Sequence, residues 1–198
     1  RYVDPDGRYS RSSAVEYAHK WAHSRNPNYV MAKFLFAMKN PWDCANFVSQ
    51  SLNAGGIETR NDWFNDKGNF NFWGQRTDKS FSINWTTANG LVSWLRKQDA
   101  IYNGESLIRS GKEFTNDLLS SIKQTKIGDI IGWSKSDDGK EVHHVGIVTK
   151  IEGGKIYYDA HTTDRKLQEL KLNGDKSIVI IHIMLLLFHN LMIQLDFC

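Results

Sequence analysis

The 198-residue sequence predicts an α+β fold, and three observations carry the prediction. In the first half, apolar residues recur at helical spacing, for example at Ala14, Tyr17, Ala18, Trp21 and Ala22. From Lys126 onward the period becomes strand-like, with β-rich runs at 142–151 and 155–161. Between those runs, Glu152-Gly153-Gly154 is a hairpin signal. Helices followed by an antiparallel sheet is the α+β order.

Each element has its own signals. Asp4-Pro5-Asp6-Gly7 marks a turn in a polar entry segment. Ser12 or Ser13 caps a first helix running to about Arg25, with Glu16 in the capping-box position. His19 and His23 stand one turn apart, but no acid or cysteine nearby completes a metal site, so they are expected on a solvated face. The apolar segment from Tyr29 to Asn40 fits a strand or a loop equally well. Residues 44–54 form the central helix. Phe47, Val48, Leu52 and Ala54 mark one of its faces, Asp43 is its N-cap, and Gly55-Gly56 gives it a left-handed stop. The stretch 57–84 is a long aromatic loop with Trp63, Phe64, Phe70, Phe72 and Trp73, suited to walling a cleft. Another helix is expected over 85–97, capped by Thr86 or Thr87, and a short one near 116–122. Strands follow at 127–133, in the two hairpin arms, and at 177–183.

Composition narrows the function classes. A net charge of +3 is too weak to argue nucleic-acid binding, though it suits an anionic surface such as a cell wall. No basic block, zinc-ligand spacing or phosphate loop occurs, so neither a metal nor another cofactor is expected. Seven Trp, seven Tyr and ten Phe fit a large aromatic core and a groove for an extended polar ligand equally well. The length suits a single domain over 1–183, followed by an apolar tail at 184–198. His182, His189, Asn190 and Gln194 interrupt the apolar run from Ile178, so a membrane anchor is not expected. The tail reads as a docking helix, an oligomer contact or foreign sequence from a shifted reading frame, the last two preferred. The chain opens at Arg1 with neither Met nor a signal peptide, as a mature form would.

Chemistry centres on Cys44. It is one of two cysteines, with Cys198, and a disulfide between them is formally open. In the first turn of a helix, the dipole favours thiolate over thiol. Downstream, His144 opens one hairpin arm and His161 closes the other. A turn at Glu152-Gly153 places them directly opposite each other. A turn at Gly153-Gly154 pairs His144 with Thr163 and keeps both histidines on one face. One imidazole then orients the other, which deprotonates the thiol. His143, on the other face, is the competing base, and Asp159 the fallback orienter.

Several blocks carry a family resemblance: 42–50 (Trp-Asp-Cys-Ala-Asn-Phe-Val-Ser-Gln), Asn84-Trp85-Thr86, Gly128-Asp129-Ile130-Ile131, 144–149 (His-Val-Gly-Ile-Val-Thr) and 160–165 (Ala-His-Thr-Thr-Asp-Arg). Over 9–183 the chain resembles the bacterial "putative amidase domain" family, related to the NlpC-type and CHAP cell-wall peptidases of the papain-like superfamily. The resemblance implies a papain-like fold, N-terminal helices on a small antiparallel sheet. It also implies Cys44 as nucleophile, His144 as base and His161 as orienting residue. Asp43, Trp42, Asn46, Trp85 and Asp164 fall in the matching blocks as substrate-binding or supporting residues. The implied reaction cuts an amide bond in peptidoglycan, outside the cell or in its wall. The same residues would also serve acyl transfer of transglutaminase type, or a wall-binding module with a retired site.

Overall fold

A computed structural model describes residues 9–30, 43–66, 81–98, 101–108, 120, 123–171 and 177–184. Its helices are α1 (Arg11–Trp21), α2 (Cys44–Ala54), α3 (Ile83–Thr86) and α4 (Ala88–Arg96). The strands are β1 (Tyr102–Ile108), β2 (Ile130–Ser134), β3 (Val142–Glu152), β4 (Lys155–Ala160), β5 (Arg165–Glu169) and β6 (Ser177–Ile183). All pairings are antiparallel, in one sheet ordered β1-β6-β2-β3-β4-β5. The chain is α+β.

Helix α2 is the centre of the packing. Every residue from Cys44 to Leu52 is buried, so its polar side chains need partners inside the protein. Ser49 Oγ donates to the Trp85 carbonyl and accepts from Trp63 Nε1, and Gln50 Oε1 accepts from the Tyr17 hydroxyl. Helices α1, α2 and α4 cover one sheet face with Ile130, Val145, Ile147, Val179 and Ile181. Ile108, Ile131, Val148, Ile156, Ile178 and Ile180 form a second apolar layer on the opposite face. Trp63, Trp85 and Trp94 are fully or nearly fully buried, with Trp63 4.5 and 4.6 Å from the other two rings. These three tryptophans are core rather than groove.

Several expectations need correction. Helix α1 starts earlier than predicted because Ser10, not Ser12 or Ser13, accepts from the Ser13 amide, which moves Glu16 out of the capping-box position. His19 is not on a solvated face: its Nδ1 lies 2.8 Å from Oδ2 of buried Asp159. The helix expected over 85–97 is two helices. Thr87 is extended (ψ 140°) and its side chain caps α4 by accepting from the Gly90 amide. Strands β1 and β5 were not anticipated. Both are sheet edges with only one fully buried residue between them, Ile108, and neither Tyr102–Ile108 nor Arg165–Glu169 carries an alternating apolar pattern. Most of 29–40, of 67–80 in the aromatic loop, of the 116–122 helix, and of the tail lie outside the described residues, as does Trp42.

Candidate active site

The chain enters α2 through Asp43, which sits just outside the helix at φ −114°, ψ 5°. Its carboxylate makes no capping bond, contrary to expectation, because three side chains claim it first. Oδ1 accepts from Asn46 Nδ2 at 2.8 Å. Oδ2 lies 2.7 Å from His161 Nδ1 and 2.8 Å from Arg25 Nε. At 3% exposure the carboxylate depends on these partners, since an unpaired charge there would be costly. Arg25 reaches on to Asp164 at 2.7 Å, and that bond holds the Asp164 carboxyl below its usual range.

His161 follows β4 and is equally buried. Its ring stacks on Phe47, one turn along α2 from Cys44, at 4.0 Å between centroids. Nε2 lies 2.8 Å from the Trp21 carbonyl at the end of α1. A carbonyl oxygen only accepts, so Nε2 donates there, while Nδ1 faces a carboxylate. Both ring nitrogens are thus engaged, and one histidine ties together α1, α2 and β4.

Cys44 is the first residue of α2 and 4% exposed. Burial pushes its thiol above the ordinary range, and the neighbouring charge of Asp43 adds to that. The amides of Val145 and Ala45 and the Thr162 hydroxyl pull the other way. The thiolate expected at a helix start is thus disfavoured by desolvation, which outweighs the hydrogen-bond donors.

The placement of His144 is corrected most. It pairs directly with Trp133, ring centroids 5.0 Å apart, and Trp133 packs on Tyr158 in the layer away from the helices. Val145, next along, faces the helices. His144 and His161 therefore do not share a face. The turn is Gly153-Gly154, with both φ values positive (58° and 73°), one of the two turns considered. Pairing then runs Glu152 with Lys155, Ile151 with Ile156 and Lys150 with Tyr157, and skips Thr149 to reach Val148 with Tyr158. That one-residue bulge turns each later side chain of β3 to the opposite face relative to β4. Asp159 is no substitute orienter: it serves His19, Thr149 Oγ1 and the Leu167 amide. His143 lies in a second irregularity, between the pairs Trp133–His144 and Ser134–Val142, and is exposed.

Of the remaining expected residues, Asn46 and Trp85 are joined to Asp43 by a chain of hydrogen bonds. Trp85 Nε1 donates to Asn46 Oδ1 at 2.8 Å, and Trp85 is fully buried. Sequence reasoning passed over Arg25, which lies at the predicted helix end with no signal of its own, and Thr162, which stands inside a quoted block without drawing attention.

A family model described as "Putative amidase domain" matches residues 8–184. The chain belongs to this family. Membership points to amide-bond hydrolysis as the chemistry of this amidase domain. Two curated relatives come from Bacillus subtilis (strain 168). The uncharacterized protein YhbB is 30% identical over 161 residues, covering 81% of this chain and 43% of that protein. The uncharacterized protein YjcM is 27% identical over 157 residues, covering 79% of this chain and 32% of its own. The chain thus spans less than half of each relative. No solved structure matches significantly.

Proposed function

We propose that this amidase domain is a cysteine hydrolase that cuts an amide in peptidoglycan through a thioester, acting outside the cell or in its wall. The observation that carries the reading is the convergence at the start of α2: a buried thiol on the first residue of the helix, next in the chain to Asp43 of the buried His161–Asp43 pair. In this reading the Cys44 sulfur attacks the amide carbonyl carbon. In the tautomer that carries its one ring proton on Nδ1 against Asp43, His161 turns a bare Nε2 away from the Trp21 carbonyl to take the thiol proton. The Cys44 backbone amide faces the developing oxyanion. His161 passes its proton to the leaving amine, and water then releases the acyl group. His144 would serve as base only if its ring crossed to the helix face.

The test is digestion of purified peptidoglycan with mass identification of the fragments. Cys44→Ala and His161→Gln should each lose about a thousand-fold or more in turnover, and His144→Gln should stay within about ten-fold. An inactive His144→Gln beside an active His161→Gln would move the base to His144. A Cys44→Ala protein that digests at the wild-type rate would end the cysteine reading.

One observation favours a second reading. The thiol is buried, which pushes its ionisation upward, and both nitrogens of His161 are engaged, as a wall-binding module with a retired site would have them. Such a module would still sediment with peptidoglycan and release nothing.

A further inference from the structure

We infer that Arg25 is a positioning residue for the His161–Asp43 pair: it keeps the shared carboxylate charged and in place while His161 gains and loses a proton. The turn that ends α1 brings two groups to one imidazole. The Trp21 carbonyl accepts from the Ser24 amide at 3.1 Å and lies 2.8 Å from His161 Nε2. Four residues on, Arg25 Nε lies 2.8 Å from Asp43 Oδ2, the same oxygen that is 2.7 Å from His161 Nδ1. The other carboxylate oxygen accepts from Asn46. Arg25 Nη2 also reaches Asp164, three residues beyond His161, at 2.7 Å. One guanidinium therefore ties the start of α2 to the loop that carries His161.

Charge balance gives the arrangement its use. Asp43 is buried, and a buried carboxylate left with neutral partners alone is costly. A guanidinium keeps its charge at any working pH, whereas an imidazole does not. With Arg25 in place, His161 can lose its proton and Asp43 still faces a cation. Without it, Asp43 would pull His161 toward imidazolium, which has no lone pair to accept a proton. Asp164 acts in the opposite sense, because it is an anion that draws on Arg25 from the more exposed side. The other titratable groups in this region are Cys44 on α2, His19 and His23 on and after α1, and His143 and His144 on β3. Of these, His19 is engaged by Asp159, and His144 packs on Trp133. The catalytic meaning rests on the cysteine hydrolase reading; the effect of Arg25 on His161 does not.

The experiment is an NMR titration of the His161 ring, its signals assigned by their absence from His161→Gln. Arg25→Gln should move the midpoint upward by about one pH unit relative to wild type, and Arg25→Lys, which keeps the charge, should stay within about 0.3. Asp164→Asn removes an anion and should move the midpoint downward. A merely structural role would not give shifts of opposite sign. The acidic limb of the pH profile for peptidoglycan digestion should follow the same two directions. Arg25→Gln titrating with wild type would overturn the inference, as would Arg25→Gln and Asp164→Asn moving the same way. Should Arg25→Gln fail to fold, an unchanged or raised midpoint in Asp164→Asn would overturn it alone. The titration needs no turnover. A failed cysteine mechanism would appear instead as full digestion by Cys44→Ala, with the titration shifts intact.

Discussion

At residue scale, Asp43 shows how a position expected to serve local structure was claimed by tertiary contacts. Its carboxylate joins α2 to Arg25 and to His161, and both it and His161 are 3% exposed. Removing one member of a buried pair typically costs about 3–5 kcal/mol, against about 1 kcal/mol for losing an N-cap. Asp43→Asn should therefore lower unfolding stability by about 3 kcal/mol, measured by urea titration; a loss near 1 kcal/mol would mean that the pairs contribute little. Cys44 gives a prediction with a definite sign. Burial raises its folded value above the unfolded one, so its contribution to stability is complete below the unfolded value. Above about pH 8.5 the unfolded thiol ionises while the folded one stays neutral, and stability falls with rising pH. Tyr9, buried with its hydroxyl donating to the Gly128 carbonyl, is pushed in the same direction and adds to the decline at higher pH. Melting temperatures between about pH 8 and 10 should fall less steeply in Cys44→Ser than in wild type.

At the scale of elements, the bulge at Thr149 decides which histidine meets α2. The sequence makes both hairpin arms, the Gly-Gly turn and β6 readable, because each is a run of β-formers bounded by turn residues. It gives no signal for one extra residue in a ladder, and that residue reverses the facing of His144. The start of α1 is also set at this scale. Asp129, fully buried, accepts from Arg11 Nη1 at 2.6 Å and from the Lys126 amide, and Nδ1 of His182 lies 2.9 Å away. Through Ser106 Oγ, 3.1 Å from His182 Nε2, the chain of contacts reaches β1. The order of serine, histidine and aspartate matches a hydrolytic triad, but the acid is committed to Arg11 and backbone amides. It works as a latch between α1, β1, β2 and β6. Asp129→Ala should cost about 3–5 kcal/mol, and Ser106→Ala should leave peptidoglycan digestion unchanged. At the other end of α2, a Cβ added at Gly55 would lie 2.4 Å from the Tyr9 ring, whose hydroxyl is tethered to Gly128. Gly55→Ala should destabilise by about 1–3 kcal/mol through that clash, since its φ of −73° imposes no backbone strain. A melting temperature equal to wild type would show that Tyr9 moves freely.

Over the whole molecule, class and order were legible because helical and strand periods occupy separate stretches of the chain. The bounds of α2 and β6 were read to the residue. The site was legible only in part. Cys44 could be placed at a helix start, yet its burial could not, since that depends on β3 and on the loop after β4 closing over it. Arg25 and Thr162 are brought in by contacts spanning more than a hundred residues, which no local pattern encodes. The two curated relatives are more than twice the length matched here, so what the domain does within a longer protein is a separate question. The central claim is that the sulfur at position 44 becomes acylated. Acid-quenching a reaction with a cell-wall peptide and mapping the protein by mass spectrometry tests it directly. The account predicts an acyl adduct on the peptide bearing Cys44, absent from Cys44→Ala; rapid product release without any adduct, at an equal rate in both proteins, would contradict it.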